Sequence, residues 1–301
     1  VILPTSPPDG LLSAASRMPL SVTATRTNAR NFYYAFKTLP ARKRRAIYAA
    51  YAFCRICDDI VDEDRPADEK QRLFENTRRL LHQSRNGRTA HPVFTALWDA
   101  TTAFDIPMRY FEEVIEGVEM DIAHSRFQDF EELRGYCYKV ASTVGLISIE
   151  IFGYKNPDAK HYAIDLGLAM QLTNILRDLK EDSQRGRVYI PIDEIASFGY
   201  SERELNLGLR NEAFRDLMRH QVARARQHFT SGRRLIPLLS AQSRACPAVL
   251  IGFYSAILDR IEAADFDVFH RRIELSTREK IFLTVRLWAA SLLPTAYPQS
   301  R

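Results

Sequence analysis

Cysteine is scarce in this chain of 301 residues, which contains four cysteines at irregular spacing. So few cysteines exclude a disulfide framework and favour a reduced, intracellular protein. Cys54 and Cys57 form a C-x-x-C pair, but no second Cys or His pair follows at zinc-finger spacing. We therefore interpret both as small apolar residues inside a helix.

Long apolar runs are also missing. A membrane-spanning helix needs about twenty consecutive apolar residues, and the stretch 283–296 is shorter and contains Arg286. The first twenty or so residues are rich in Pro, Ser and Gly and lack the charged start and apolar block of a signal peptide. We expect a disordered leader over 1–25, one domain over 26–295 and a tail over 296–301, and Met18 could be the true start.

No block of one charge is present. The net charge of +5 is spread over many lysines and arginines, which permits anionic ligands or an anionic membrane surface without requiring nucleic acid. We expect a cytoplasmic protein with no nucleic-acid partner and with peripheral membrane contact as an option. The oligomeric state is left open.

Glycine and proline are sparse between positions 41 and 290, and apolar residues recur there at three- and four-residue spacing. This pattern is typical of an all-α bundle, and no internal repeat or linker divides it. The predicted helices cover residues 41–63, 67–85, 91–104, 107–124, 129–153, 157–183, 202–208, 211–240, 246–265 and 276–292.

The first of two aspartate stripes lies on the helix predicted over 41–63. Tyr51, Arg55, Asp58 (or Asp59) and Asp62 are three or four positions apart and share one helix face. Like charges one turn apart repel each other, so the arrangement favours a cation between them.

The second stripe lies on the helix predicted over 157–183. Asn174, Asp178 and Asp182 follow one another at four-residue steps, with Gln171 one turn before them. The residues between them are mostly Leu and Ile, so these carboxylates lie near buried surface, where an uncompensated charge is costly.

Mg²⁺ is the ion that fits two such stripes. It prefers hard oxygen ligands, and it is commonly shared between one or two carboxylates and substrate phosphates. One stripe alone could equally be a solvated acidic face. Two stripes, each flanked by apolar residues and an arginine, favour a diphosphate held between facing helices.

Several blocks in order make the chain resemble the squalene/phytoene synthase family. They are Asn31–Phe36, Tyr51–Asp62, Glu116–Asp121, Tyr136–Gly145, Gln171–Asp182 and Arg185–Pro191. The resemblance implies a single-domain isoprenoid synthase fold, in which helices surround a central apolar cavity. It implies a prenyltransferase that joins two prenyl diphosphates head to head.

The resemblance also implies roles for individual residues. The expected Mg²⁺ ligands, with Mn²⁺ as a substitute, are Asp58, Asp59, Asp62, Asn174, Asp178 and Asp182. The expected catalytic residues are Tyr51, Arg55, Tyr136, Arg177 and Tyr254. The expected substrate-binding residues are Asn31, Phe32, Phe36, Arg55, Val140, Gln171, Arg177 and Arg187, and Arg185 and Arg187 belong to a segment resembling a flexible cover.

The residues in the blocks Glu116–Asp121 and Tyr136–Gly145 resemble those of enzymes that make presqualene diphosphate. They favour farnesyl diphosphate as substrate and a presqualene diphosphate or squalene-type product. A phytoene synthase that uses two geranylgeranyl diphosphates is the first alternative, followed by a terpene cyclase and a non-catalytic assembly factor of the same fold. A terpene cyclase usually has Ser or Thr within its second motif, where this chain has Asp178. No Gly-rich dinucleotide fingerprint is present, so use of NADPH is unsupported but left open.

Overall fold

The chain folds as a bundle of helices, as predicted. The computed structural model describes residues 26–123 and 126–291, with side chains from residue 32 onward. The predicted leader and tail lie outside the described residues. The helices are α1 Arg26–Lys37, α2 Ala41–Asp62, α3 Ala67–Arg85, α4 Pro92–Phe104, α5 Met108–Ala123, α6 Phe130–Cys137, α7 Thr143–Phe152, α8 Ala159–Gln184, α9 Ile192–Ser197, α10 Glu202–Asn206, α11 Glu212–Gly232, α12 Leu235–Leu238, α13 Ala245–Ala263 and α14 Thr277–Ser291.

Local sequence signals mark the starts of several helices. Prolines precede α2 and α3, and Pro92 opens α4, since proline is compatible with the first turn of a helix. The side chains of Asp129, Ser201 and Asn211 accept hydrogen bonds from backbone N–H groups at the starts of α6, α10 and α11. These caps satisfy donors that have no partner within the helix.

Three features differ from the helix prediction. Two helices, α1 and α9, were not predicted at all. The helix predicted over 211–240 ends at Gly232 and is followed by the short α12. Pro237 explains why α11 does not continue, because a proline inside a helix removes a donor and clashes with the preceding turn.

The segment predicted as one helix over 129–153 is continuous but contains a π-helical turn, Tyr138–Ser142, between α6 and α7. Glycines let neighbouring helices approach this turn closely. A Cβ atom on Gly167 of α8 would lie 2.6 Å from the Cα atom of Ser142, and one on Gly117 of α5 would lie 2.8 Å from Cγ1 of Val140. Helices α5 and α8 therefore pack directly against the π turn.

Helix α8 lies at the centre of the bundle and contacts α7, α11 and α13. Every residue from Gln171 to Leu179 is buried. A helix covered on all sides normally carries only apolar residues. The hydroxyl of Thr173 donates to the backbone carbonyl of Ala169, and the other polar side chains of this segment indicate an internal site. Within the described ranges, no helix combines the length and apolar character needed to cross a bilayer.

Candidate active site

The first aspartate stripe lies on the last three turns of α2. Asp58 is 3% exposed, and its Oδ2 atom lies 4.0 Å from Nη1 of Arg55. Asp59 is half exposed and forms an ion pair with the same arginine. Tyr51 is buried two turns earlier on this helix. Arg55 thus neutralises part of the carboxylate charge on the stripe.

Burial dominates the ionisation of Asp58. Loss of solvent raises its pKa to about 8; Arg55 lowers it, and Asp62 and Asp59 raise it. Burial likewise raises the pKa of Asp59. A carboxylate in this environment lacks enough positive charge around it, so a bound cation would stabilise its ionised form.

The second stripe lies in the buried part of α8. Arg177 donates from Nε to Oδ1 of Asp178 at 2.8 Å and from Nη2 to the other oxygen of the same carboxylate. Nδ2 of Asn174 lies 3.5 Å from Oε1 of Gln171, and Tyr254 of α13 lines the same cavity as both residues. The polar groups of the stripe are held in place by one another.

Three oxygens of this stripe have no hydrogen-bond partner. They are Oδ1 of Asn174 and both carboxylate oxygens of Asp182, and all three are shielded from solvent. Burial and the neighbouring Asp178 raise the pKa of Asp182 well above its ordinary value, although Arg187 acts in the opposite direction. Buried polar atoms are normally satisfied, so these oxygens fit a site built for a cation.

The loop that follows α8 connects the two stripes. Nη1 of Arg185 lies 3.0 Å from Oδ1 of Asp62, and Nη1 of Arg187 lies 3.8 Å from the same oxygen. Burial opposes the charge of Arg187, but Tyr189, Asp121 and Asp62 together raise its pKa. Asp62 of α2 and Asp182 of α8 therefore belong to one charged cluster with Arg187 between them.

Asp121 is a member of this cluster that the sequence analysis did not select. Tyr136 donates to its Oδ2 atom at 3.1 Å, and Tyr189 donates to its Oδ1 atom at 3.0 Å. The rings of the two tyrosines are stacked with centroids 5.4 Å apart. Burial raises the pKa of Asp121 despite Arg187 and both hydrogen bonds. Asp121 and Tyr189 lie in blocks that carry the family resemblance, which was the available signal.

An apolar cavity is lined mainly by residues of α1, α2, α7, α8 and α13 and encloses about 910 Å³ of non-atom space, including its open end. Its lining includes the polar side chains of Tyr51, Gln171, Asn174 and Tyr254 and is otherwise almost entirely apolar. Tyr51 of the first stripe and Asn174 of the second thus both line this cavity, whereas the aspartates of the two stripes are not among its lining residues.

The predicted substrate-binding residues are only partly brought together at the cavity. Phe32 and Phe36 line it, and each of their ring centroids lies 6.1 Å from that of Tyr51. Val140 is fully buried but faces Gly117 of α5 and is not among the lining residues. The side chain of Asn31 lies outside the described residues.

The aspartates of the two stripes are not gathered around a common point where they could bind one metal ion together. Among the described residues, no group of three or more His, Cys, Asp or Glu side chains is close enough to hold a metal ion. Asp58, Asp59 and Asp178 are instead engaged by arginines. The arginines occupy the position of a counterion, so metal binding would require these ion pairs to rearrange.

Comparison with known proteins places this chain in a family. Residues 25–279 match the family model described as "Squalene/phytoene synthase". A phytoene synthase of Arthrospira platensis is 37% identical over 84% of this chain and 86% of that protein. A 15-cis-phytoene synthase of Synechocystis sp. is 36% identical over 95% of this chain and 88% of that protein.

Solved structures agree with the sequence comparison. A dehydrosqualene synthase has a TM-score of 0.80 and 29% identity and covers 87% of this chain and 92% of its own. A squalene synthase from Alicyclobacillus acidocaldarius has a TM-score of 0.74 and 26% identity, and the match covers 79% of this chain and 89% of that chain.

The chain belongs to the squalene/phytoene synthase family. It is a prenyltransferase that joins two prenyl diphosphates head to head, which confirms the predicted fold and enzyme class.

Proposed function

We propose that the protein condenses two geranylgeranyl diphosphates into a phytoene-type product. The similarity to phytoene synthases along nearly the whole chain supports this substrate. The sequence analysis preferred farnesyl diphosphate, and the curated relatives reported above favour the longer substrate instead. Family membership favours head-to-head condensation over a terpene cyclase or a non-catalytic assembly factor.

The proposed metal ligands are Asp58, Asp59 and Asp62 on α2 and Asn174, Asp178 and Asp182 on α8. The three unpartnered oxygens of Asn174 and Asp182 carry this proposal, because hard oxygen atoms in a dry site suit Mg²⁺, or Mn²⁺ in its place. The metal, when bound, would supply Lewis-acid neutralisation of the leaving diphosphate.

The proposed diphosphate-binding residues are Arg55, Arg177 and Arg187. Each arginine is now paired with, or close to, an aspartate of the site. A guanidinium group matches the geometry of phosphate oxygens, and preorganised positive charge favours departure of the diphosphate. These ion pairs would exchange a carboxylate partner for phosphate when the substrate binds.

The apolar cavity would protect the reaction from water. After one C–O bond breaks, the electron pair leaves with the diphosphate, and the double bond of the second substrate attacks the allylic cation. Loss of a proton then closes a cyclopropylcarbinyl diphosphate. Tyr51 and Tyr254 line the cavity beside this reaction. Tyr51, Tyr136 and the released diphosphate are the candidate proton acceptors, and Asp121 supports Tyr136.

The test is product analysis by mass spectrometry. The protein is incubated with geranylgeranyl or farnesyl diphosphate and Mg²⁺, each with and without NADPH, and the expected result is a C40 product from the C20 substrate. Asp58→Ala and Asp178→Ala should each lower turnover by about a hundredfold or more. The matched control is Asp68→Ala, which removes an exposed aspartate of α3. Wild-type turnover by either site variant would refute the metal assignment.

A squalene-type reaction is the second candidate. The solved neighbours named above are a dehydrosqualene synthase and a squalene synthase, and the sequence blocks favoured farnesyl diphosphate. Efficient conversion of the C15 substrate, with no C40 product from the C20 substrate, would establish the squalene-type reaction. An NADPH-dependent change of product would show that the reaction continues beyond the cyclopropyl diphosphate.

A further inference from the structure

Helix α14 has an apolar face that no other part of the described structure covers. Ile281, Phe282, Val285 and Trp288 are 45–63% exposed. Their spacing puts them along one side of the helix. The opposite side packs against the core through Leu283 and Leu287. Helix α14 is therefore apolar on both its packed and its exposed side.

The charges on the exposed side of α14 are all positive. Its exposed residues are Thr277, Arg278, Ile281, Phe282, Val285, Arg286, Trp288 and Ala289. The single acidic residue of the helix, Glu279, is half-buried and is bound by Arg260 and by Ser276 at 2.6 Å. Apolar side chains bordered by arginines suit a surface that is negatively charged outside and apolar beneath.

The helix that carries this exposed face packs against part of the cavity wall. Helix α14 contacts α13 and α1. These two helices contribute Phe32, Phe36, Leu250 and Tyr254 to the cavity wall. A groove between Lys37 and Trp288 lies along the same side. An oily product that left between α1 and α13 would emerge beside this face.

We propose that the exposed face of α14, with Ile281, Phe282, Val285 and Trp288, inserts into the surface of an anionic bilayer. Interfacial helices of this kind carry large apolar side chains on the lipid side and arginine or lysine near the phosphates. The link to product release rests on the proposed function, because a head-to-head hydrocarbon product dissolves in lipid and not in water.

A second copy of the chain fits the face less well than lipid. A symmetric dimer would bring the same patch of each subunit together, so Arg278 and Arg286 would meet their own counterparts without an acidic partner on this helix. Four exposed apolar side chains also offer little area, since a specific interface usually buries at least about 1,200 Å² in total. A bilayer has neither restriction.

The test measures co-sedimentation of the full chain with vesicles of phosphatidylcholine alone or mixed with phosphatidylglycerol, without substrate. We expect binding mainly to the mixed vesicles, and about tenfold weaker binding for Phe282→Ser/Val285→Ser. The matched control is Leu207→Ser/Leu209→Ser, which changes two residues that are 64% and 45% exposed elsewhere. Arg278→Gln/Arg286→Gln should remove the preference for the anionic lipid.

A second measurement uses tryptophan emission. The chain contains two tryptophans, so Trp98→Phe leaves Trp288 as the only one, and its emission should shift to the blue with mixed vesicles.

Equal binding by the serine variants and the parent, or no shift in the emission of Trp288, would overturn the proposal. Sedimentation that shows a dimer abolished by Phe282→Ser/Val285→Ser would assign the face to a second copy. None of these readouts depends on turnover, so their failure leaves the proposed reaction untouched.

Discussion

Arg185, in the loop after α8, lies 3.0 Å from the carboxylate of Asp62 at the end of α2. This contact joins two positions that are 123 residues apart in the chain. The loop therefore brings Arg187 to within 3.8 Å of Asp62 and places the hydroxyl of Tyr189 3.0 Å from Asp121. The same loop is held from outside by Arg126, which donates to the carbonyl oxygen of Gly186 at 2.8 Å.

Asp182→Asn should separate stability from activity. The carboxylate of Asp182 is 2% exposed and has no hydrogen-bond partner, so an uncharged amide of the same shape removes a costly buried charge. We expect the melting temperature without metal to be at least that of the parent, and turnover to fall by about a hundredfold.

Mg²⁺ with inorganic pyrophosphate provides the control for that variant. Ligands that bind only the native state raise the melting temperature, and the parent should show this rise while Asp182→Asn shows little of it. Calorimetry measures both proteins. An equal rise in the two would mean that Asp182 does not contribute to the metal site.

Gly167→Ala should destabilise the bundle. The new Cβ would lie 2.7 Å from the carbonyl oxygen of Ala141 in the π turn, and backbone cannot yield as a flexible side chain would. We expect a loss of about 1–3 kcal/mol in the free energy of unfolding, measured in urea.

Gly135→Ala is the matched control. A Cβ on this helical glycine of α6 would meet nothing within 4 Å. Alanine should therefore stabilise α6 by about 0.5–1 kcal/mol. If both substitutions changed stability in the same direction, the close packing around the π turn would not explain the effect at Gly167.

Lys43 ties three segments together, and Lys43→Met should loosen them. Its Nζ atom donates to the carbonyl oxygen of Phe152 at 2.6 Å and to the hydroxyls of Ser240 at 2.8 Å and Ser243 at 3.0 Å. Methionine keeps the aliphatic stem but loses all three donors, so we expect a cost of about 1–3 kcal/mol. Arg45→Met, an exposed position of the same helix, should change the unfolding midpoint far less.

Glu194 should make stability depend on acid pH. Burial opposes its charge, but hydrogen bonds from Arg224 and Gln221 outweigh burial and lower its pKa below the ordinary value of 4.5. A lowered folded-state pKa means that the contribution is present above about pH 4.5 and is lost as the pH falls through the folded-state value.

Glu194→Gln tests that dependence. We expect it to cost about 1–2 kcal/mol at neutral pH, and the difference from the parent should shrink as the pH falls below about 4.5. Glu75→Gln, at an exposed position of α3, is the comparison. Urea unfolding at several pH values gives the result, and a difference that stays constant with pH would contradict the assignment.

Much of the helical framework was predictable because helix formation follows a local period of three to four residues. Helices α2, α3 and α8 lie within one or two residues of their predicted bounds. The missed helix α9 is only six residues long and begins after Pro191, so it offers too few periods to detect. The π turn at Tyr138–Ser142 depends on contact with Gly117 and Gly167, which come from other helices.

By itself, the sequence determined the all-α class and the spacing of Asp58, Asp62, Asn174, Asp178 and Asp182, because residues one turn apart on a helix share a face whatever surrounds it. Tertiary structure alone decided which oxygens are left without partners, that Asp121 joins Tyr136 and Tyr189, and that one face of α14 is uncovered. These features depend on distances between segments far apart in the chain, and a local period carries no information about such distances.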